Sequence, residues 1–142
     1  MVERLSFTIS LSDKTKRFFK NERMRNSARM NSALFRGFYN ARKIIFSTVE
    51  RNTNKEYPSE PGTSWARRSG RANKGLTFAV NSGKAYFGNT VPYVKYLELG
   101  TKKMEKRPAM WISLNENKTN IAKCLEDAIN KEYKVKRKWQ DI

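Results

Sequence analysis

The 142-residue chain contains no histidine, a single cysteine (Cys124) and only 13 acidic residues. Each shortage removes a class of chemistry. Without histidine there is no Ser-His or Cys-His nucleophile pair and no two-histidine iron site, and with one cysteine there is no Cys/His zinc site and no internal disulfide framework. Neither a GxxxxGKS/T loop nor a GxGxxG loop is present, so the usual backbone cradles for nucleoside triphosphates and dinucleotides are missing. The few carboxylates are scattered. Glu126 and Asp127 are sequence neighbours that point in different directions on a helix, a poor arrangement for acid/base work or for Mg²⁺. We therefore expect no enzymatic activity and no cofactor. No apolar run approaches the roughly 20 residues of a membrane span, and Glu3 and Arg4 interrupt any signal-peptide core, so a soluble chain, intracellular when made and without a membrane partner, is expected.

What is abundant is positive charge. Thirty Lys and Arg against 13 Asp and Glu give a net +17, a field that attracts polyanions and opposes self-association unless something screens it. An apolar fraction of 38%, with 12% aromatic residues, is nevertheless too rich for a disordered chain, and the length suits one continuous core. A single domain, 1–142, follows.

From Glu3 to Ser12 the chain alternates, with Leu5, Phe7, Ile9 and Leu11 on one side, which predicts a half-buried strand. Ser12 or Asp13 then caps a long helix to about Arg51. Along it Leu34, Phe38, Ala41, Ile45 and Val49 recur at helical spacing, and Phe35, Tyr39 and Phe46 would widen the stripe. Eleven basic and three acidic residues give this helix +8, a density that favours a polyanion over a plain solvated face. Residues 52–75 hold two Pro, three Gly and no period, which predicts a long loop. Loops of that length usually work or wander, and here Arg67, Arg68, Arg71 and Lys74 follow Trp65, a pairing that suits phosphate contact; a mobile, solubilising tether is the competing reading.

Leu76 to Val80 and Ala85 to Phe87, joined by Asn81 to Lys84, predict a hairpin. After Pro92 the apolar positions Val94, Tyr96, Leu97 and Leu99 fit either a short helix or an irregular edge, ended by Gly100. Pro108 is suited to the first position of a final helix reaching about Lys134, on which Cys124 reads as a small buried residue. Lys134 to Lys138 begin a basic tail, 134–142. The order predicts an α+β fold, a small antiparallel sheet covered on one face by one long N-terminal helix and one C-terminal helix.

The run PYVKYLELGTKKMEKRPAMWISLNEN, followed by an amphipathic helix, resembles the tail-completion proteins of long-tailed bacteriophages, the head-tail joining or neck family also described as minor tail components. Pro92, Tyr93, Val94, Tyr96, Leu97, Glu98, Gly100, Thr101, Met104, Arg107 and Pro108 stand in that family's order, and PGTSWARRSGR looks like its Thr-Gly-containing loop, with Gly62 here preceding Thr63. The resemblance implies a structural virion protein, a subunit of a homo-oligomeric ring, expected to be a hexamer. Such a ring sits between the head connector or stopper protein and the tail terminator or tail tube protein, with DNA passing through its lumen. Tyr93, Val94, Tyr96 and Leu97 would then anchor the segment in the subunit's own core or against a neighbour. Gly100, with Thr101 after it and Pro108 beyond, would supply the turn, and Lys102, Lys103, Lys106 and Arg107 would meet the next subunit, an adjoining ring or DNA. With the loop cations Arg67, Arg68, Arg71 and Lys74 these form the expected contact surface. The alternative is a stand-alone, sequence-nonspecific nucleic-acid-binding module using the same charge, although no helix-turn-helix, zinc-finger or aromatic RNP pattern appears.

Overall fold

A computed structural model describes residues 5–10, 28–81 and 83–133. The chain runs β1 (Ser6–Ile9), α1 (Ala28–Thr53), α2 (Arg71–Lys74), β2 (Leu76–Asn81), β3 (Lys84–Asn89), α3 (Val94–Leu99), α4 (Ala109–Glu116) and α5 (Lys118–Tyr133). The three strands form one antiparallel sheet in the order β1-β3-β2. The fold is α+β as the sequence predicts: a small antiparallel sheet packed against the long helix α1 and the C-terminal helix α5.

Register follows from alternation, because a one-residue slip would move every apolar side chain to the wrong face. Phe87 in the central strand stands opposite Phe7 on one side and Phe78 on the other. Leu5, Phe7 and Ile9 are half-buried while Ser6 and Thr8 are exposed; the outer parts of the expected strand, Glu3, Arg4, Leu11 and Ser12, lie outside the described residues. The hairpin is longer than its apolar residues suggest, with strands to Asn81 and from Lys84, because ladder hydrogen bonds continue past the last apolar side chain.

Helix α1 buries Met30, Ala33, Leu34, Gly37, Phe38, Ala41, Ile45 and Val49. Complete burial of Phe38, Ile45 or Val49 stabilises the fold by roughly 1.5–3 kcal/mol each. The expected wider stripe is corrected at two of its three positions. Phe35 and Tyr39 are 47% and 48% exposed and stack on one another at 5.6 Å, whereas Phe46 reaches the core and packs 5.8 Å from Phe87. The stripe is instead completed on its other edge by Met30, Ala33 and Gly37, all of them buried. The start of the expected helix, from Asp13 to Ser27, lies outside the described residues.

Gly37 marks the closest approach of the two long helices. A Cβ there would meet Leu125 Cα at 3.0 Å and the Cys124 carbonyl oxygen at 3.1 Å. Alanine has the better helix propensity by roughly 1 kcal/mol, yet the methyl would collide with backbone that yields only if α5 shifts. Gly37→Ala is accordingly expected to destabilise by about 1–2 kcal/mol in urea denaturation; a more stable variant would show that α1 and α5 are not packed this tightly.

The final helix is corrected to two. Asn117, with φ −102°, separates α4 from α5, and its amide donates to Thr48 Oγ1 at 2.8 Å and to the Ser113 carbonyl at 2.9 Å. This buried polar tie holds the break against α1, something a continuous apolar period did not reveal. Pro108 sits one place earlier than expected, as the N-cap of α4, its carbonyl accepting from the Ile112 amide at 3.2 Å. Cys124 is half-buried against the core, and burial pushes its thiol up. Exposed ion pairs join the ends of the helices, Arg29 and Arg36 to Glu132 and Arg51 to Glu116. The Arg36 and Arg29 hydrogen bonds lower the Glu132 carboxyl below its usual range, so any stability it contributes is present at neutral pH and lost as pH falls through the lowered value. Residues 134–142, the expected basic tail, lie outside the described residues.

Candidate functional site

Residues 52–75 do not wander. As expected, residues 54–70 carry no helix or strand, but the loop is shorter than 52–75 at both ends, where Thr53 is still helical and α2 occupies Arg71–Lys74, and Ser64, Trp65 and Ala66 within it are buried. Hydrogen bonds explain the difference. The Trp65 indole donates to Asn73 Oδ1 at 3.3 Å, the Asn73 amide donates to Thr53 Oγ1 at 2.7 Å, and Thr53 Oγ1 donates to the Val49 carbonyl at 2.8 Å. The Arg67 amide donates to the Thr53 carbonyl at 2.7 Å, closing the loop on the end of α1. Loop-closing bonds of this kind carry no periodic signature.

The segment after β3 is held by equally local rules. Asn89, buried, donates to the Ala72 carbonyl at 2.7 Å and accepts from the Val91 amide at 2.9 Å, which directs the chain out of the sheet. The short helix α3 follows, resolving the choice between helix and edge. Val94 is fully buried and Leu97 packs against the core, whereas Tyr93 and Tyr96 point outward at 39% and 41% exposure. Gly100 reverses the chain at φ 75°, ψ 173°. Beyond it the Thr101 amide donates to the Met104 carbonyl at 2.7 Å, and Thr101 Oγ1 accepts from the Lys103 and Met104 amides, closing a tight turn that leaves Lys102, Lys103 and Lys106 in solvent.

Glu98 is the residue whose importance the spacing did not disclose. Its side chain is buried beneath the start of α4 and accepts the amides of Met110 and Trp111, two of the donors a helix N-terminus leaves without an internal partner. Burial drives its carboxyl from 4.5 up to about 7, against the opposing pull of those two backbone amides. Glu98 thus pins α3 to α4 across the turn. Its identity as an acid inside an apolar run was visible; its burial was not.

Loop and segment meet along one cleft of about 520 Å³. Arg67, Arg68 and Arg71 line it from the loop side, and Tyr93, Leu97, Met104 and Arg107 line it from the other. Two cross-links hold the walls together: the Gly62 amide donates to the Lys106 carbonyl at 2.9 Å, and Arg107 Nε donates to the Ser59 carbonyl at 3.0 Å. The Arg68 guanidinium lies 4.8 Å from the Tyr57 ring centre and that of Arg71 5.7 Å from Tyr93, so both are oriented by cation–π contact. Arg67 lies over Gly70, where a Cβ would meet its Nε at 3.2 Å.

Six of the residues singled out from sequence therefore share a surface: Arg67, Arg68, Arg71, Tyr93, Leu97 and Arg107. Lys74, Lys102, Lys103 and Lys106 are exposed but do not line the cleft, and neither do Val94, Tyr96, Gly100, Thr101 and Pro108, which shape the segment. Tyr57 and Ser59 complete the cleft and were not foreseen, since a Tyr-Pro-Ser stretch in a loop carries no signal of its own. Among the described residues no helix is long and apolar enough to cross a membrane. Comparison of the chain with known protein families, with characterised proteins and with solved structures finds no match.

Proposed function

We propose that this protein is a non-enzymatic structural subunit of a phage neck. Several copies would close into a ring, sixfold in the simplest case, joining the head connector to the tail and surrounding the DNA channel. The observation that carries this reading is the ordered set from Pro92 to Pro108. Its residues divide into an inner group that fixes one shape, Val94, Glu98, Gly100 and Pro108, and an outward group, Tyr93, Tyr96, Lys102 and Lys103, that the chain's own core does not use. A segment so firmly shaped yet outward-facing suits a joint between copies. The +17 charge fits a subunit that works beside DNA, because phosphates lining a channel neutralise a repulsion that would otherwise oppose closing the ring.

Mass photometry of the chain alone and with its connector, together with recovery of the chain from intact virions, tests the proposal. A closed oligomer or a connector-bound ring is the expected result. A chain that stays monomeric in every mixture, is missing from particles and shifts duplex DNA on a gel is a stand-alone nucleic-acid-binding module instead.

A further inference from the structure

We infer that the cleft between the loop and the 92–108 segment is a docking site for an acid-rich, extended peptide segment of a partner protein, and not a DNA-contact surface. This deepens the ring reading by naming what the cleft holds, but its geometry and its test need no ring.

The cations are the first argument. Among the described residues the cleft is lined by four arginines, Arg67, Arg68, Arg71 and Arg107, and by no lysine, in a chain where lysine is the commoner of the two. Arginine's planar fork matches two-oxygen anions, which a lysine meets only as a point charge. None of the four forms an ion pair among the described residues, and the side chains of Arg67, Arg68 and Arg71 make no hydrogen bond there. Ser59 Oγ, buried in the wall, also has no hydrogen-bond partner among the described residues. A cleft so full of unspent donors is built for an anion.

The floor and the aromatic rings decide which anion. Leu97 and Met104, both half-buried, give the cleft an apolar floor, with Trp65 buried beneath it. Duplex DNA presents phosphates to sequence-blind contacts and keeps its bases stacked inside, so it would leave that floor empty. A single strand binds by stacking bases on open aromatic faces; Arg68 and Arg71 each cover one face of Tyr57 and Tyr93, which stay 60% and 39% exposed, and Trp65, only 3% exposed, offers none. An extended peptide alternating carboxylates with apolar side chains uses both features at once, the acids on the arginines and the apolar groups on the floor. A second copy of a +17 chain is a poor donor of such a segment, which points to a partner of different, acidic sequence. The exposed lysines 102, 103 and 106 lie outside the cleft and remain available to phosphate.

The test is fluorescence anisotropy at physiological salt with three labelled probes: a peptide alternating glutamate and leucine, an oligothymidylate of equal charge, and a short duplex. The wild-type chain is compared with Arg68→Gln/Arg71→Gln and with Lys102→Gln/Lys103→Gln/Lys106→Gln, all five positions being exposed and the melting of each variant checked. The peptide should bind about ten-fold more tightly than the oligothymidylate and lose about ten-fold in the arginine variant but under about two-fold in the lysine variant, with the duplex behaving the opposite way. Equal or tighter binding of oligothymidylate, with the same arginine dependence, makes the cleft a nucleic-acid site and overturns the inference. Peptide binding indifferent to the two arginines overturns it too. Either failure alongside a closed ring by mass photometry would leave the neck reading standing.

Discussion

Gly100→Val is expected to cost about 3–5 kcal/mol and to lower the urea midpoint more than any exposed substitution in the chain. At φ 75°, ψ 173° the backbone occupies a region open almost only to glycine, and valine adds a branch at Cβ. Space is a second, independent obstacle. A Cβ at this position would lie 2.9 Å from the Lys106 amide nitrogen and 3.0 Å from the Met104 carbonyl oxygen, both of them backbone. Relief requires opening the turn, which breaks the Thr101–Met104 bonds and carries the Arg107 amide away from the Leu97 carbonyl that accepts it. The cleft loses its Arg107 wall in the same movement. If Gly100 also shapes a joint between subunits, assembly should fail at temperatures where the monomer is still folded. Unchanged melting with normal assembly would remove the turn from any role.

The second large effect is a pH dependence centred on Glu98. Its carboxyl stands at about 7 in the folded chain and near 4.5 when unfolded, so between those values the folded state holds a proton that the unfolded state has released. Stability therefore falls as pH rises through this window. The contribution is most favourable below 4.5, and the full penalty, roughly 3 kcal/mol, is present above 7. Melting temperature is expected to drop by about 10 °C between pH 5 and pH 8. The chain has no histidine to confuse the profile. The lowered Glu132 acts only at more acidic pH, and the raised Cys124 thiol only above its ordinary 9.0. Glu98→Gln keeps an acceptor for one of the two helix amides but cannot ionise, so it should flatten the profile. A Gln variant with the wild-type slope would place the titration elsewhere.

Glu98 also illustrates where sequence reading ends. The run VPYVKYLEL shows an acid among apolar residues, and composition alone would leave it facing water; only the approach of α4, brought over α3 by the turn at Gly100, encloses it. The same holds for Phe35 and Tyr39. Their spacing extends the stripe of α1 on paper, but which edge is covered depends on where α5 lies, and Gly37 draws α5 to the other side.

What the sequence determined by itself is local and periodic. Alternation specified the strands, because side chains on a pleated backbone divide between two faces without reference to the rest of the fold. The spacing of Leu34 to Val49 specified the buried face of α1, and Gly100 was recognisable as the turn that ends the apolar run, where the backbone takes φ 75°. The shortages of histidine and cysteine narrowed the available chemistry before any fold was considered. The tertiary structure decided everything that depends on two distant segments meeting. It split the last helix at Asn117 by tying that residue to Thr48, and it ordered the 52–75 loop through Trp65, Asn73 and Thr53. It also brought Arg67, Arg68 and Arg71 to within one cleft of Arg107. Long-range hydrogen bonds and close helix contacts leave no period in the chain, so packing alone could select which cations share a wall.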